Sequence, residues 1–232
     1  MRKAEGMTEF VRCDRSNAGF ALDANGTRSA PGFGAISVLM PPGRYTVQLS
    51  ADGAVSSSPV IVRKDPNIST TELEIRASVA AQLQLQSQMA AAGEWVTQME
   101  SVRRQVQQLT SALESDRSNA DLKPAVDSLG NNFTALENKV LDLRQTGQGQ
   151  DGVRWPVQLA GQLGYLQGNL SASAGAAPTV EQRSVYTVLD RQARVVKTTL
   201  DGLVQKDLKA LNSRLTARGL KPIEITLPKV VF

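Results

Sequence analysis

The chain of 232 residues contains no histidine and a single cysteine, Cys13. Histidine is the commonest metal ligand and general base, so its absence excludes Ser/His/Asp and Cys/His triads and HExxH metal sites. One cysteine excludes an intrachain disulfide and any cysteine-based zinc site. Cys13 stands in the strand-like run Phe10-Val11-Arg12-Cys13-Asp14, where a thiol serves as a small buried hydrophobe and carries no function. Aromatic residues are also scarce, at 4% of the chain, so the core must be built from Leu, Val, Ala and Met. That palette suits helices that interlock through small side chains. No run approaches the roughly eighteen apolar residues of a spanning helix, and the basic start Met1-Arg2-Lys3 lacks the apolar stretch of a secretory signal. The compartment stays open on these grounds, secreted or periplasmic in the event that the residues belong to a longer signal-bearing precursor.

Charge is nearly balanced, with 26 basic and 22 acidic residues, too slight an excess to name a partner. Its distribution is uneven. From Arg191 onward there are nine basic and three acidic residues, whereas residues 67–190 carry nine basic and thirteen acidic. Single-strand binders interleave aromatic stacking platforms with their basic residues. After Tyr186 the only aromatic is Phe232, so the pattern reads as helices of complementary charge in one bundle and not as a nucleic-acid surface.

What is present begins with Pro41-Pro42-Gly43-Arg44-Tyr45-Thr46-Val47-Gln48-Leu49-Ser50-Ala51-Asp52-Gly53. A Pro-Gly turn launches an alternating run that ends at an Asp-Gly turn, and Pro59 to Lys64 follows at hairpin distance. Candidate strands are Glu9 to Asp14, Ala35 to Leu39, Arg44 to Ala51 and Pro59 to Lys64, with residues 16–34 a long Gly-, Asn- and Ser-rich loop. Four strands fall short of the roughly seven of an immunoglobulin-like sandwich. Residues 1–66 are therefore expected to form a small, incomplete sandwich-like module.

Beyond Asp65-Pro66 the composition switches to Ala, Leu, Gln and Glu at helical spacing. Ser69-Thr70-Thr71-Glu72 supplies hydroxyl caps ahead of a carboxylate. The apolar positions from Ile75 to Leu113 then predict one helix of about 45 residues, with Gly93 its weak link. After a turn at residues 116–119, Leu122, Val126, Leu129, Phe133, Leu136, Val140 and Leu143 alternate four and three apart, a heptad seam. Gly147 to Gly152 breaks it. Trp155-Pro156 opens a third helix carrying Leu159, Leu163, Leu166 and Leu170, and Pro178 or Thr179 starts a fourth that runs to the C-cap Arg218-Gly219. The fold class expected is α+β: an immunoglobulin-like β-module (1–66), an antiparallel four-helix bundle with long first and last helices (67–219), and a strand-like tail (220–232).

Three pieces in order, Gly6-Met7-Thr8-Glu9-Phe10-Val11 with Asp14 after it, Pro41 to Leu49, and Val62-Arg63-Lys64-Asp65-Pro66 leading into helix, resemble a known arrangement. The chain resembles the C-terminal region of bacterial BNR-repeat or sortilin-like glycosyl hydrolases, in which a β-propeller precedes a β-sandwich segment and a helical tail. Trp155-Pro156 and the segment Leu215 to Ile223 are similar to that tail. The resemblance implies a protein partner or an upstream propeller domain. Any hydrolase chemistry of such proteins resides in the propeller, which these residues do not contain, so the resemblance implies no enzyme here.

The function expected is a noncatalytic structural or protein-interaction module, without nucleic-acid binding, membrane span or cofactor, and docking through an exposed sheet edge. Its first rival is a fragment of a glycoside hydrolase with paired carboxylates. The candidate acids are Asp14, Asp23, Asp52 and Asp65, of which Asp52 belongs to a turn and Asp65 precedes Pro66, where aspartate serves local hydrogen bonding. The second rival is a coiled-coil assembly protein whose seam pairs between chains. No residue is assigned a catalytic, cofactor-binding or metal-binding role.

Overall fold

A computed structural model describes residues 38–51, 54–144, 154–173 and 175–225. Most of them are helical. β1 (Gly43–Ala51) and β2 (Ala54–Val62) pair antiparallel in register Gly43 to Val62 through Ala51 to Ala54, leaving two residues between the strands. This corrects the expected sandwich. Among the described residues the only β structure is this two-stranded sheet. Ser56, Ser57 and Ser58, outside the candidate strands Arg44 to Ala51 and Pro59 to Lys64, pair with Leu49, Gln48 and Val47, so the second strand is longer than expected. Val38 and Leu39, expected to end a strand, carry no strand assignment, and Val38 is instead buried in the helical core. The strand expected at residues 9–14 and the loop at 16–34 lie outside the described residues.

α1 (Glu72–Ser115) is one unbroken helix of 44 residues, about 66 Å at 1.5 Å per residue. Thr71 caps it: its hydroxyl accepts from the Glu74 amide at 3.2 Å while the Glu74 carboxylate accepts from the Thr71 amide at 2.7 Å. The hydroxyl bond from Thr71 lowers the Glu74 pKa. The helix stops at Asp116, whose carboxylate takes the Ser118 amide at 2.9 Å and the Asn119 side chain at 2.7 Å. A 3-10 turn, Ala120–Leu122, then leads into α2 (Lys123–Val140), with proline in its first turn. α3 is Leu159–Ser171, starting after Gln158 and not at Trp155. α4 (Val180–Gly202) continues through a π-helical segment, Leu203–Leu208, into α5 (Lys209–Ala217) as one rod.

Cross-helix pairs fix the topology. Arg103 meets Glu137, Val106 lies against Gly130 and Thr110 bonds Asp127, so α2 runs antiparallel along the C-terminal half of α1. Gln82 bonds Gln167 and Ile75 lies beside Gly175, so α3 runs the same way along the N-terminal half. Gln88 bonds Asp190, and Arg218 reaches Ser118 and Asp121, so the rod of α4 and α5 runs parallel to α1. The antiparallel four-helix bundle is thereby corrected to three columns: α1 up, α2 and α3 stacked end to end down, and the rod up. α3, expected to run antiparallel to α2, runs in the same direction.

Most of the predicted stripe positions line the core of these columns, whereas Leu83 on α1 and Val185 on α4 are exposed. Leu122, Val126, Leu129, Phe133, Leu136 and Val140 are all buried within the chain, as are Leu159, Leu163, Leu166 and Leu170. The rod ends in a Schellman motif: Leu220 donates to the Leu215 carbonyl at 2.9 Å and Gly219, at φ +70°, donates to Thr216 at 3.0 Å. The chain then turns back, and Ile223 is buried against α1 and α5 without a strand to pair with among the described residues.

Candidate interaction surface

The hairpin projects from the bundle and is fastened at its base. Val38 is buried, Arg76 of α1 donates to the Pro42 carbonyl at 3.1 Å, and the Tyr45 hydroxyl donates to the Pro41 carbonyl at 2.5 Å. Directly paired residues share a face, so Tyr45, Val47 and Leu49 lie on the same side as Val60, Ser58 and Ser56. Toward the tip that side is uncovered, with Val47 47% and Leu49 66% exposed. The opposite side exposes Val55 and Ile61, at 61% and 57%. An isolated two-stranded hairpin is marginal in water, and edges that no other described strand covers offer backbone groups to a further strand.

The bundle holds its charges differently. Glu137, fully buried, accepts from Arg103 at 2.8 Å across the α1 and α2 interface. Asp142, 2% exposed, is clasped by Arg144 through two side-chain bonds at 2.9 and 2.6 Å and through the Arg144 amide at 3.1 Å. The Arg144 side-chain bonds lower the Asp142 pKa and raise that of Arg144, whose guanidinium lies 3.9 Å over the Trp155 ring. Between α1 and α3 a buried polar layer runs from Ser78 to Gln82 at 3.2 Å and on to Gln167 at 3.0 Å. Both carboxylates are engaged by cations inside the fold.

A cleft of about 260 Å³ lies between α1, α3 and the start of α4, floored by Ala77, Ala80 and Ala81 and rimmed by Arg183 and Tyr186. Burial raises the Tyr186 pKa, and Arg183 is turned away to the Pro178 carbonyl. No carboxylate lines this cleft, which falls just under the roughly 300 to 1,000 Å³ of ligand pockets. Among the described residues no cluster of three or more His, Cys, Asp or Glu is placed to hold a metal, and no helix is long and apolar enough to cross a membrane.

Of the four candidate acids, Asp14, Asp23 and Asp52 lie outside the described residues. Asp65 accepts from the Asn67 amide at 2.8 Å and its side chain at 3.0 Å, a local turn at an exposed position. Glu137 and Asp142, two of the buried acids, carry no sequence signal beyond their place beside the heptad seam. No family model, no curated protein and no solved structure matches the chain.

Proposed function

We propose that the chain is a noncatalytic protein-interaction module, the C-terminal part or a stand-alone relative of a BNR-repeat or sortilin-like propeller protein. The observation that carries this reading is the hairpin of β1 and β2, which among the described residues has no third strand at either edge and exposes Leu49, Val55 and Ile61. Strand addition to such an edge supplies main-chain hydrogen bonds for affinity and alternating side chains for specificity. The intermolecular coiled coil is disfavoured because its seam, from Leu122 to Leu143, is buried within one chain as far as Val140, with Leu143 half-buried. The hydrolase reading gains nothing from Asp65, the one described candidate acid, which is taken up by a local turn with Asn67.

The test is amide exchange in β1 and β2 of the full chain, alone and fused to a propeller read in frame from the DNA upstream. Fusion should slow exchange along one hairpin edge, and Leu49→Lys should reverse that protection. Unchanged exchange in the fusion overturns docking by the hairpin, and turnover of aryl glycosides by this chain alone overturns the noncatalytic assignment.

A further inference from the structure

The returning segment after the rod is held through its main chain by side-chain amides. Asn212 of α5 uses its whole amide on Ile223: its carbonyl accepts from the Ile223 amide at 2.8 Å, and its Nδ2 donates to the Ile223 carbonyl at 2.8 Å. Gln105 of α1 does the same to the next residue, accepting from the Glu224 amide at 3.0 Å and donating to the Glu224 carbonyl at 2.5 Å. The Ser101 hydroxyl adds a bond to that carbonyl at 3.4 Å. Successive residues of an extended chain direct their main-chain groups to opposite sides. The two amides thus stand where neighbouring strands would, one on each side, and each reproduces the paired bonds of a β-ladder.

The side chains divide the other way. Ile223 is 5% exposed and Ile225 packs against the same core, while Glu224 is exposed. Main-chain bonds to two consecutive residues, with apolar anchors at the first and third positions, read an extended conformation and an apolar-x-apolar pattern, and leave the middle side chain free.

We infer that the groove between α1 and α5 is a recognition site for extended apolar-x-apolar segments, filled in cis by Ile223-Glu224-Ile225 and able to take the same sequence in trans once that segment is displaced. The site is separate from the hairpin, and the inference does not depend on the interaction reading given above.

The experiment uses the full chain with Ile223→Asp, in which a carboxylate at the buried anchor disfavours occupancy in cis. A fluorescent peptide with the sequence of residues 220–232 is titrated into it. Saturable one-to-one binding is expected, weakened about tenfold or more when Asn212→Leu or Gln105→Leu is added, since each removes two hydrogen bonds. A peptide with Glu224→Ala should bind within a few-fold of the parent, and one with Ile223→Asp should not bind. Absence of saturable binding to an Ile223→Asp chain with wild-type helical circular dichroism overturns the inference, as does binding indifferent to both amide substitutions. In case Ile223→Asp prevents folding, hydrogen exchange on the unaltered chain decides. The Ile223 and Glu224 amides should be protected, with protection of Glu224 lost selectively in Gln105→Leu. Exchange of both amides at unprotected rates in the unaltered chain overturns the inference.

Discussion

Arg103 and Glu137 are joined across α1 and α2 with the acid fully buried and the base 32% exposed. Removing one partner of such a pair leaves a charge without its counterion in a poorly solvated place, which costs more than the pair itself contributes. Arg103→Met should therefore destabilise the chain by about 3 kcal/mol in urea denaturation, while Arg103→Met with Glu137→Leu should return to within about 1 kcal/mol of the parent. A loss under about 1 kcal/mol in the single variant would mean that water or another neighbour replaces Arg103 at Glu137. Asp142 gives a prediction in pH. Arg144 holds its folded pKa below the ordinary value, so the stability it contributes is fully present above the unfolded pKa, near 3.9, and is lost as pH falls through the lower folded value. Asp142→Asn should flatten that acid limb of stability against pH. An unchanged slope below about pH 4 would assign the limb to other carboxylates with lowered pKa, such as Asp127, whose bond from Lys123 is the main cause. Neither Glu137 nor Asp142 was legible in the sequence, because a periodic pattern marks apolar positions, and a charge beside them looks the same whether it meets solvent or a cation.

At the scale of elements the helices were the most legible part. α1 spans 44 residues against an expectation of about 45, because its apolar spacing is continuous and its ends carry chemistry specific to caps. Gly93, the expected weak link, is buried within an unbroken helix. The start of α3 was read four residues early from Trp155-Pro156, since proline is as much at home in the extended chain before a cap as in a first turn. Two glycines separate packing from propensity. A β-carbon on Gly130 would come within 2.8 Å of Val106 on α1, whereas one on Gly202 would have no atom within 4 Å. Gly130→Ala should cost about 1 to 3 kcal/mol by pushing α2 off α1. Gly202→Ala should stabilise by up to about 1 kcal/mol, as alanine is the better helix former at an open site. Chemical denaturation of both variants checks the pair, and equal effects of one sign would mean that the α1 and α2 packing is looser than 2.8 Å implies.

The arrangement of the whole molecule was the least legible. Hydrophobic periodicity identifies which face of a helix is buried but not which neighbour buries it or in which direction that neighbour runs. The stripes of α2 and α3 were read correctly, yet two short helices stacked along one long helix present the same stripes as two separate columns. The same holds for Val38, which lies in a stretch that reads as a strand and is 1% exposed inside the helical core. Its burial ties the base of the hairpin to the bundle, together with the Arg76 bond to Pro42. The consequence is measurable in thermal unfolding followed by helical circular dichroism. Val38→Ala removes buried methyl groups from the shared core and should lower the stability of the helices themselves by about 2 kcal/mol. If helical unfolding is unchanged in Val38→Ala, the segment before β1 rests on the bundle without contributing to it, and the hairpin is free to detach when a partner strand binds.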